Sequence, residues 1–497
     1  MMISKCVSNF IRAILVSVFL AVLLCNYNYE NNHAYAATQT ELEQAEKNKI
    51  LLADSTVDYI CAMSAGIAYS GDLFEMAADS LYYLGAEREI VYNKNRKADT
   101  KFIVIKHLDF SGKSNKNDYV ISITGTEKLK DVEVDLRYGS VCFGGTTPEE
   151  FQIEQNKSLK EYGDNPNIPT IHRGFSDYVQ TAFFTKSEET GKMGADYIFD
   201  ILNDKNAEDI YITGHSLGGA SAIILAARLS AMGVPADRLN VVTFGSPAVG
   251  NQAFADWCRG RFNLKRIAMK NDVITGVLQG WLGKRKFVQF GDTVEWRRDP
   301  SVRHNQHAVA VYMDSAIRNY YKICMGMPGD NDHNGFRYAD KNGIWSGDDL
   351  NGNGYNVYIA PVNVKLDDYI QGDSECIKMA VQDILLNVLP GSVADIGEVK
   401  DFSDTCKAAE RMGCQYVIYE TVTGTLDKNS QDLYHVTIEE GICDTSGNLL
   451  FTQLINTNSS EVTPIEAAMI GITRSSENRI NVVKNDAGLK LGSIFSK

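Results

Sequence analysis

The chain has 497 residues, 44% of them hydrophobic, and a formal net charge of −14. That length exceeds what one hydrophobic core can hold and calls for two or three domains, and the apolar fraction excludes a disordered chain. The acidic balance gives no electrostatic reason to bind nucleic acid or an anionic membrane face.

Lys5 and Arg12 precede an apolar run from Ala13 to Cys25, and a polar stretch then ends in Ala34-Tyr35-Ala36. This is the pattern of a secretory signal with an A-x-A cleavage site, cut after Ala36. The apolar run is too short to anchor the chain across a bilayer. Leu24 before Cys25 is not the small residue a lipoprotein signal needs. The mature protein therefore reads as secreted, with residues 1–36 as its signal peptide and no membrane span. Losing Lys5, Arg12 and Glu30 with the signal moves the net charge to −15. Eight cysteines remain (Cys61, Cys142, Cys258, Cys324, Cys376, Cys406, Cys414 and Cys443), an even number that permits disulfides in a secreted chain. They are sparse and show no C-x-x-C metal spacing, which favours scattered buried thiols.

Residues 38–90 read as helical, with Leu42, Ile50, Val57, Ile60 and Cys61 roughly on one face. Strand-like runs follow at 101–107 and 118–124, then a charged, loop-rich stretch over 127–170. From Ile171 to about Trp296 strands and helices alternate, the signature of an α/β sheet. The strand runs are 208–213, 241–245, 266–270 and 287–290, with helices after Ser216 and around 253–259. A helix from His307 to about Met325 closes the region. Residues 328–356, rich in Gly, Asp and Asn, read as a linker. Beyond it, a strand at 357–362, a helix at 376–388, a helix including Ala408-Ala409, strands at 416–425 and 433–442, and a helix at 463–474 suffice for a smaller α+β domain over 357–497.

The chemistry concentrates at Gly214-His215-Ser216-Leu217-Gly218, between the β-branched run 210–213 and the helical run 219–229. G-x-S-x-G between a strand and a helix is a nucleophile elbow. A serine hydroxyl must project from a sharp, strained turn to attack an ester, and flanking glycines remove the Cβ clashes that forbid one. The helix starting at the serine points its first free N–H groups, and the positive end of its dipole, at the place where an oxyanion forms. Leu217, the residue after the nucleophile, supplies one such backbone donor. His215 beside the serine points away from it and reads as a packed core histidine.

Four stretches together resemble the class 3 lipase family, an α/β-hydrolase group, over residues 60–325. They are the run 212–220 around Ser216, the run Thr243-Phe244-Gly245-Ser246-Pro247-Ala248-Val249-Gly250-Asn251, the segment Thr124-Gly125-Thr126 followed by Asp131 and Asp135-Leu136, and His172-Arg173-Gly174-Phe175. The resemblance implies an α/β-hydrolase domain over 37–327 that cleaves acylglycerol esters through an acyl-enzyme on Ser216. In this fold an acid follows the serine and a histidine follows the acid. Asp272, after the strand run 266–270, falls where the family has its acid. His304 and His307 are both candidates for the base. His307 with Tyr312 reproduces the family's spacing of histidine, four residues and tyrosine, which favours it. Thr126 stands where the family has its second oxyanion donor.

Two departures bear on the substrate. The segment 127–135 that often forms an apolar lid in lipases is heavily charged here. The apolar candidate for an acyl contact is Val277, Leu278 and Trp281, past Asp272; ordinary core is the alternative. A soluble short-chain or aromatic-acid esterase is therefore the competing enzyme reading, and a silent hydrolase fold acting as a surface binding protein the non-enzymatic one. The implied partner is a lipid or other ester, with at most transient contact at a lipid interface. No metal or organic cofactor is required.

Asp330–Gly335 and Asp349–Gly354 repeat alternating oxygen ligands ending in glycine, the opening of a calcium loop. The carboxylate expected at the twelfth position is Lys341 in one and Ala360 in the other, which favours an Asx-turn linker. The C-terminal domain carries no catalytic constellation. It distantly resembles small α+β domains of envelope proteins, which implies binding or assembly.

Overall fold

The computed structural model describes residues 47–48, 50–67, 69, 71–82, 87–92, 101–108, 117–125, 139–157, 165–187, 190–282, 285–325, 344–346, 354–427 and 433–495. The signal-peptide reading, Thr126, the charged segment 127–135 and both acidic repeats, apart from Gly354, lie outside these residues.

The first sheet has seven strands in chain order: Glu87–Tyr92, Lys101–Leu108, Asn117–Ile123, Ala207–His215, Leu239–Phe244, Asn263–Met269 and Asp292–Trp296. The first three pair antiparallel, and from Asn117–Ile123 to the strands after it the pairing is parallel. Parallel strands joined by crossover helices are covered on both faces, so they read as near-continuous runs of Val and Ile rather than as alternation. Asn117–Ile123 is buried from its second residue on. The helix Leu217–Ala231 is buried at every position from Leu217 to Leu229, because it lies between the sheet and the layer outside it. Its register against the sheet carries Ser216 to the C-terminal edge of the strands, where open α/β sheets place their sites.

Several sequence expectations need correction here. Residues 87–92 are an edge strand, not helix, and the helix through 38–90 resolves into Ile50–Ile67 and Asp72–Tyr82. Ile50–Ile67 is long and apolar enough to cross a membrane by composition alone, yet 72% of it is buried inside the protein. The run 287–290 is not a strand of the parallel sheet. That place belongs to Asp292–Trp296, whose inward alternation is weak, while Arg285–Val288 joins a small antiparallel sheet. The stretch read as a linker is not all linker, since Ile344–Ser346 pairs with Val393–Asp395 and buries Trp345.

The second large sheet runs in the spatial order 344–346, 393–395, 357–359, 416–426, 434–444 and 449–459, with 363–366 also against 416–426. Its last three strands form an antiparallel meander. The strand Leu449–Ser459, absent from the sequence reading, is its edge and leaves Leu449 and Leu454 exposed. The helix Phe402–Arg411 buries Cys406, Ala408 and Ala409 with Tyr358, Ala360, Val417 and Cys443. The helices Ser374–Val388 and Pro464–Arg474 pack together, the latter against the meander and held at its start by a Thr463–Glu466 capping box. Residues 55–497 form one compact unit. Each of the eight cysteines from Cys61 to Cys443 is an unpaired thiol, and all but Cys414 are fully buried.

Candidate active site

Ser216 sits between the last residue of its strand and the first of its helix with φ 57 and ψ −123, left-handed backbone that a residue with a Cβ rarely adopts. Such a conformation costs on the order of 1–3 kcal/mol and persists only where its surroundings impose it. Here the Ser216 N–H donates to Phe244 O at 2.9 Å, and Ser216 O accepts from Ala220 N at 3.1 Å. The flanking glycines are required by contact. A Cβ on Gly214 would stand 2.8 Å from Ile123 O and run into the backbone of Gly218, and one on Gly218 would collide with that same Ile123 oxygen.

Three predicted side chains are brought together across 91 residues of sequence. Ser216 Oγ lies 2.8 Å from His307 Nε2, and His307 Nδ1 lies 2.8 Å from Asp272 Oδ2. All three are at least 95% buried. Because Nδ1 faces a carboxylate it carries the proton, which leaves Nε2 as an acceptor for the serine O–H. Asp272 is fixed from two further sides. Its Oδ1 accepts from Ile274 N–H at 2.9 Å and its Oδ2 from the Tyr312 hydroxyl at 2.7 Å. Tyr312 in turn accepts from Met269 N–H at 2.9 Å, and burial beside Asp272 holds its phenol well above the ordinary range.

His215 points away from Ser216, and its partners are specific. Its Nε2 stands 2.7 Å from the carbonyl oxygen of His307, so that nitrogen carries hydrogen and Nδ1 accepts from the Tyr69 hydroxyl at 2.6 Å. The two imidazoles lie 4.7 Å apart, centre to centre. Burial, with His307 adding to it, pushes the His215 pKa well below the ordinary histidine range, so His215 is a neutral prop. No local signal in the sequence marks Tyr69, which is 146 positions away from its partner.

Leu217 opens its helix, so its N–H is among those with no acceptor inside the helix. Thr124 and Gly125 pass directly against Gly218, which brings the segment leading to Thr126 up to the elbow. His172 caps the helix Arg173–Phe184, accepting from Phe175 N–H at 3.4 Å, and its ring packs beside Phe175 and Phe287. His304 is also elsewhere, its Nε2 2.9 Å from Ser460 O. In the loop past Asp272, Val273 is 76% exposed, Val277 O accepts from Ala248 N–H, and Leu278 packs against the apolar core. Trp281 lies in the short strand Gly280–Leu282, paired with Arg285–Val288.

Residues 120–279 match the family model described as Lipase (class 3). A Caenorhabditis elegans protein, Lipase ZK262.3, is 40% identical over 124 residues, which is 24% of this chain and 32% of that protein. The chain thus spans about a third of the curated relative it matches. Among solved structures, the lipase–propeptide complex of Rhizomucor miehei aligns at 20% identity over 48% of this chain and 66% of that one, with a TM-score of 0.33. A lipase of Rhizopus microsporus var. chinensis aligns at 18% identity over 50% and 75%, with a TM-score of 0.36.

Proposed function

We propose, on the premise that residues 120–279 belong to the class 3 lipase family, that this protein hydrolyses carboxylic esters of lipids. The observation that carries the reading is the unbroken buried chain of hydrogen bonds from Ser216 through His307 to Asp272, ending on a serine held in strained backbone. Ser216 Oγ attacks the ester carbonyl carbon as its proton passes to His307 Nε2. Asp272 holds the imidazole in the right tautomer and stabilises the imidazolium. The carbonyl oxygen becomes an oxyanion, met by the N–H of Leu217 and by Thr126, each donor worth roughly 3–4 kcal/mol in the transition state. The C–O bond to the alcohol then breaks, the alcohol leaving with the proton from His307. A water attacks the acyl-enzyme by the same route and releases the acid.

The apolar run Val277, Leu278 and Trp281 is the candidate acyl contact, and the substrate a lipid-derived ester such as an acylglycerol. Residues 1–36 would direct export and be removed after Ala36, which N-terminal sequencing of the exported protein tests. Hydrolysis of p-nitrophenyl esters from C2 to C16, with Ser216→Ala alongside, tests the activity. The variant should lose about a million-fold in kcat, as nucleophile removal does in serine hydrolases. Rates rising toward long chains support the lipase. Rates confined to short chains would instead fit the charged segment 127–135 and a soluble esterase, and a folded but inert wild type would return the binding-protein reading.

A further inference from the structure

The loop 297–308, which links the strand Asp292–Trp296 to the helix Val309–Met325, carries His307 and has no sheet partner of its own. Its internal hydrogen bonds run from Ser301 N–H and Oγ to Asp299 Oδ1, from Val302 N–H to Asp299 O, from Arg298 to His304 O, and from the N–H groups of His307 and Ala308 to the Asn305 side chain and carbonyl. Arg318, on the helix that follows, meets Asp299 at 3.6 Å and Ser301 Oγ at 3.4 Å, and several further polar groups of the loop are held by the C-terminal sheet domain. The hydroxyl of Tyr434, a fully buried residue, accepts from Arg303 N–H at 3.0 Å and donates to Ser301 O at 3.0 Å, so one oxygen ties two points of the loop. The His304 ring stacks on Tyr434 at 6.0 Å with an 18° tilt, and its Nε2 meets Ser460 O. The Arg303 guanidinium lies 3.9 Å from the centre of the Tyr369 ring, and the Tyr369 hydroxyl donates to Pro300 O at 3.2 Å. Asp373 accepts from Ser301 Oγ at 2.8 Å and pairs at 2.9 Å with Arg318 on the helix that follows His307.

We infer that the C-terminal domain is a positioning clamp for the catalytic histidine, with Tyr434 as its central residue. The physical reason is that a general base must be held to a fraction of an ångström, and a misplacement of about 1 Å can cost on the order of a hundredfold in rate. The parallel sheet supplies Ser216 and Asp272 from strand ends, whereas the histidine arrives on a loop twelve residues long. Four loop residues, Pro300, Ser301, Arg303 and His304, are fastened to a domain that contributes no atom to the reaction. The clamp rests on the role proposed above for His307.

The test compares full-length wild type, Tyr434→Phe and Arg474→Ala, reading kcat and KM for p-nitrophenyl butyrate, the rate of Ser216 labelling by a fluorophosphonate, and Tm. Tyr434→Phe keeps the ring that stacks on His304 and removes only the bridging oxygen. Arg474 bonds Asp72 and Glu75 at another point between the two sheet domains, far from the loop in sequence, and controls for docking alone. The expected result is a kcat about tenfold lower in Tyr434→Phe with KM unchanged within twofold, labelling slowed in parallel, and Arg474→Ala at the wild-type rate. If Tyr434→Phe does not fold, His304→Ala takes its place with the same expectation. A folded Tyr434→Phe or His304→Ala with wild-type kcat and labelling overturns the clamp alone. So does an Arg474→Ala that loses as much activity. A wild type that neither turns over ester nor takes the label overturns the catalytic reading and the clamp together, since there is then no base to position.

Discussion

Ser216 and His307, the proposed nucleophile and base, are rigid for different reasons. Ser216 is fixed by its immediate neighbours: two glycines, the carbonyls of Ile123 and Phe244, and the helix that begins one residue later. His307 is fixed from a distance, by Asp272, by His215 reaching from the elbow, and by a loop whose anchors sit in a separate sheet. A turn can store its constraint in covalent geometry and backbone contacts, but a loop without a ladder must borrow its constraint from side chains elsewhere.

Substitutions sharpen that contrast. The largest effect should come from Asp272→Asn, which keeps the shape but removes the charge that sets the His307 tautomer. Loss of about ten-thousand-fold in kcat with little change in Tm is expected, measured by ester turnover and thermal denaturation. Loss below a hundredfold would show that His307 is oriented without its acid.

On the nucleophile side, Gly218→Ala should damage fold and activity together. Its methyl group has backbone against it, not a flexible side chain, so urea unfolding should report about 1–3 kcal/mol of lost stability. A Gly218→Ala protein as stable as the wild type would mean the elbow has room that the geometry denies. Tyr434→Phe should do the reverse, lowering kcat with little loss of stability.

The smallest effect separates the two sheets by pH. His215 is buried with its pKa pushed well below 6.5, chiefly by burial, so the unfolded chain binds a proton there that the folded protein refuses. Its contribution to stability is full above about pH 6.5 and is lost as pH falls through that value toward the folded pKa. Glu420 has the opposite sign. It stands opposite Glu440 in register, and burial together with that neighbour raises its pKa well above 4.5. Arg479 is already engaged with Glu440 through its Nε, at 2.7 Å. The folded protein therefore keeps a proton on Glu420 that the unfolded chain releases, and stability from it is full below about pH 4.5 and lost as pH rises. His215→Gln should flatten the fall in stability on the acid side. Glu420→Gln should flatten the fall on the neutral side, each by up to about 1.4 kcal/mol per pH unit. Unfolding free energies between pH 4.5 and 8 check both, and identical pH curves for wild type and variants would refute the assignment.

What could be read without coordinates was whatever the chain encodes within a few residues. The elbow is legible because strain demands glycine at fixed offsets from Ser216, and the parallel strands because burial on both faces demands runs of Val and Ile. Asp292–Trp296 and Leu449–Ser459 were missed because a half-exposed edge strand carries a weak pattern. Between His304 and His307 the sequence favours His307 only through its spacing to Tyr312, since residues three apart in a loop otherwise differ only in what surrounds them. Tertiary structure separates them, placing Nε2 of His307 beside Ser216 and that of His304 beside Ser460. It alone brought in Tyr69, Tyr434 and Asp373, whose hydrogen bonds to His215, Arg303, Ser301 O and Ser301 Oγ span between 72 and 146 positions. The sequence by itself determined the strained turn at Ser216, because its constraint is local backbone sterics. Only the tertiary structure could determine how the histidine is held, because hydrogen bonds between distant segments leave no periodic mark on either one.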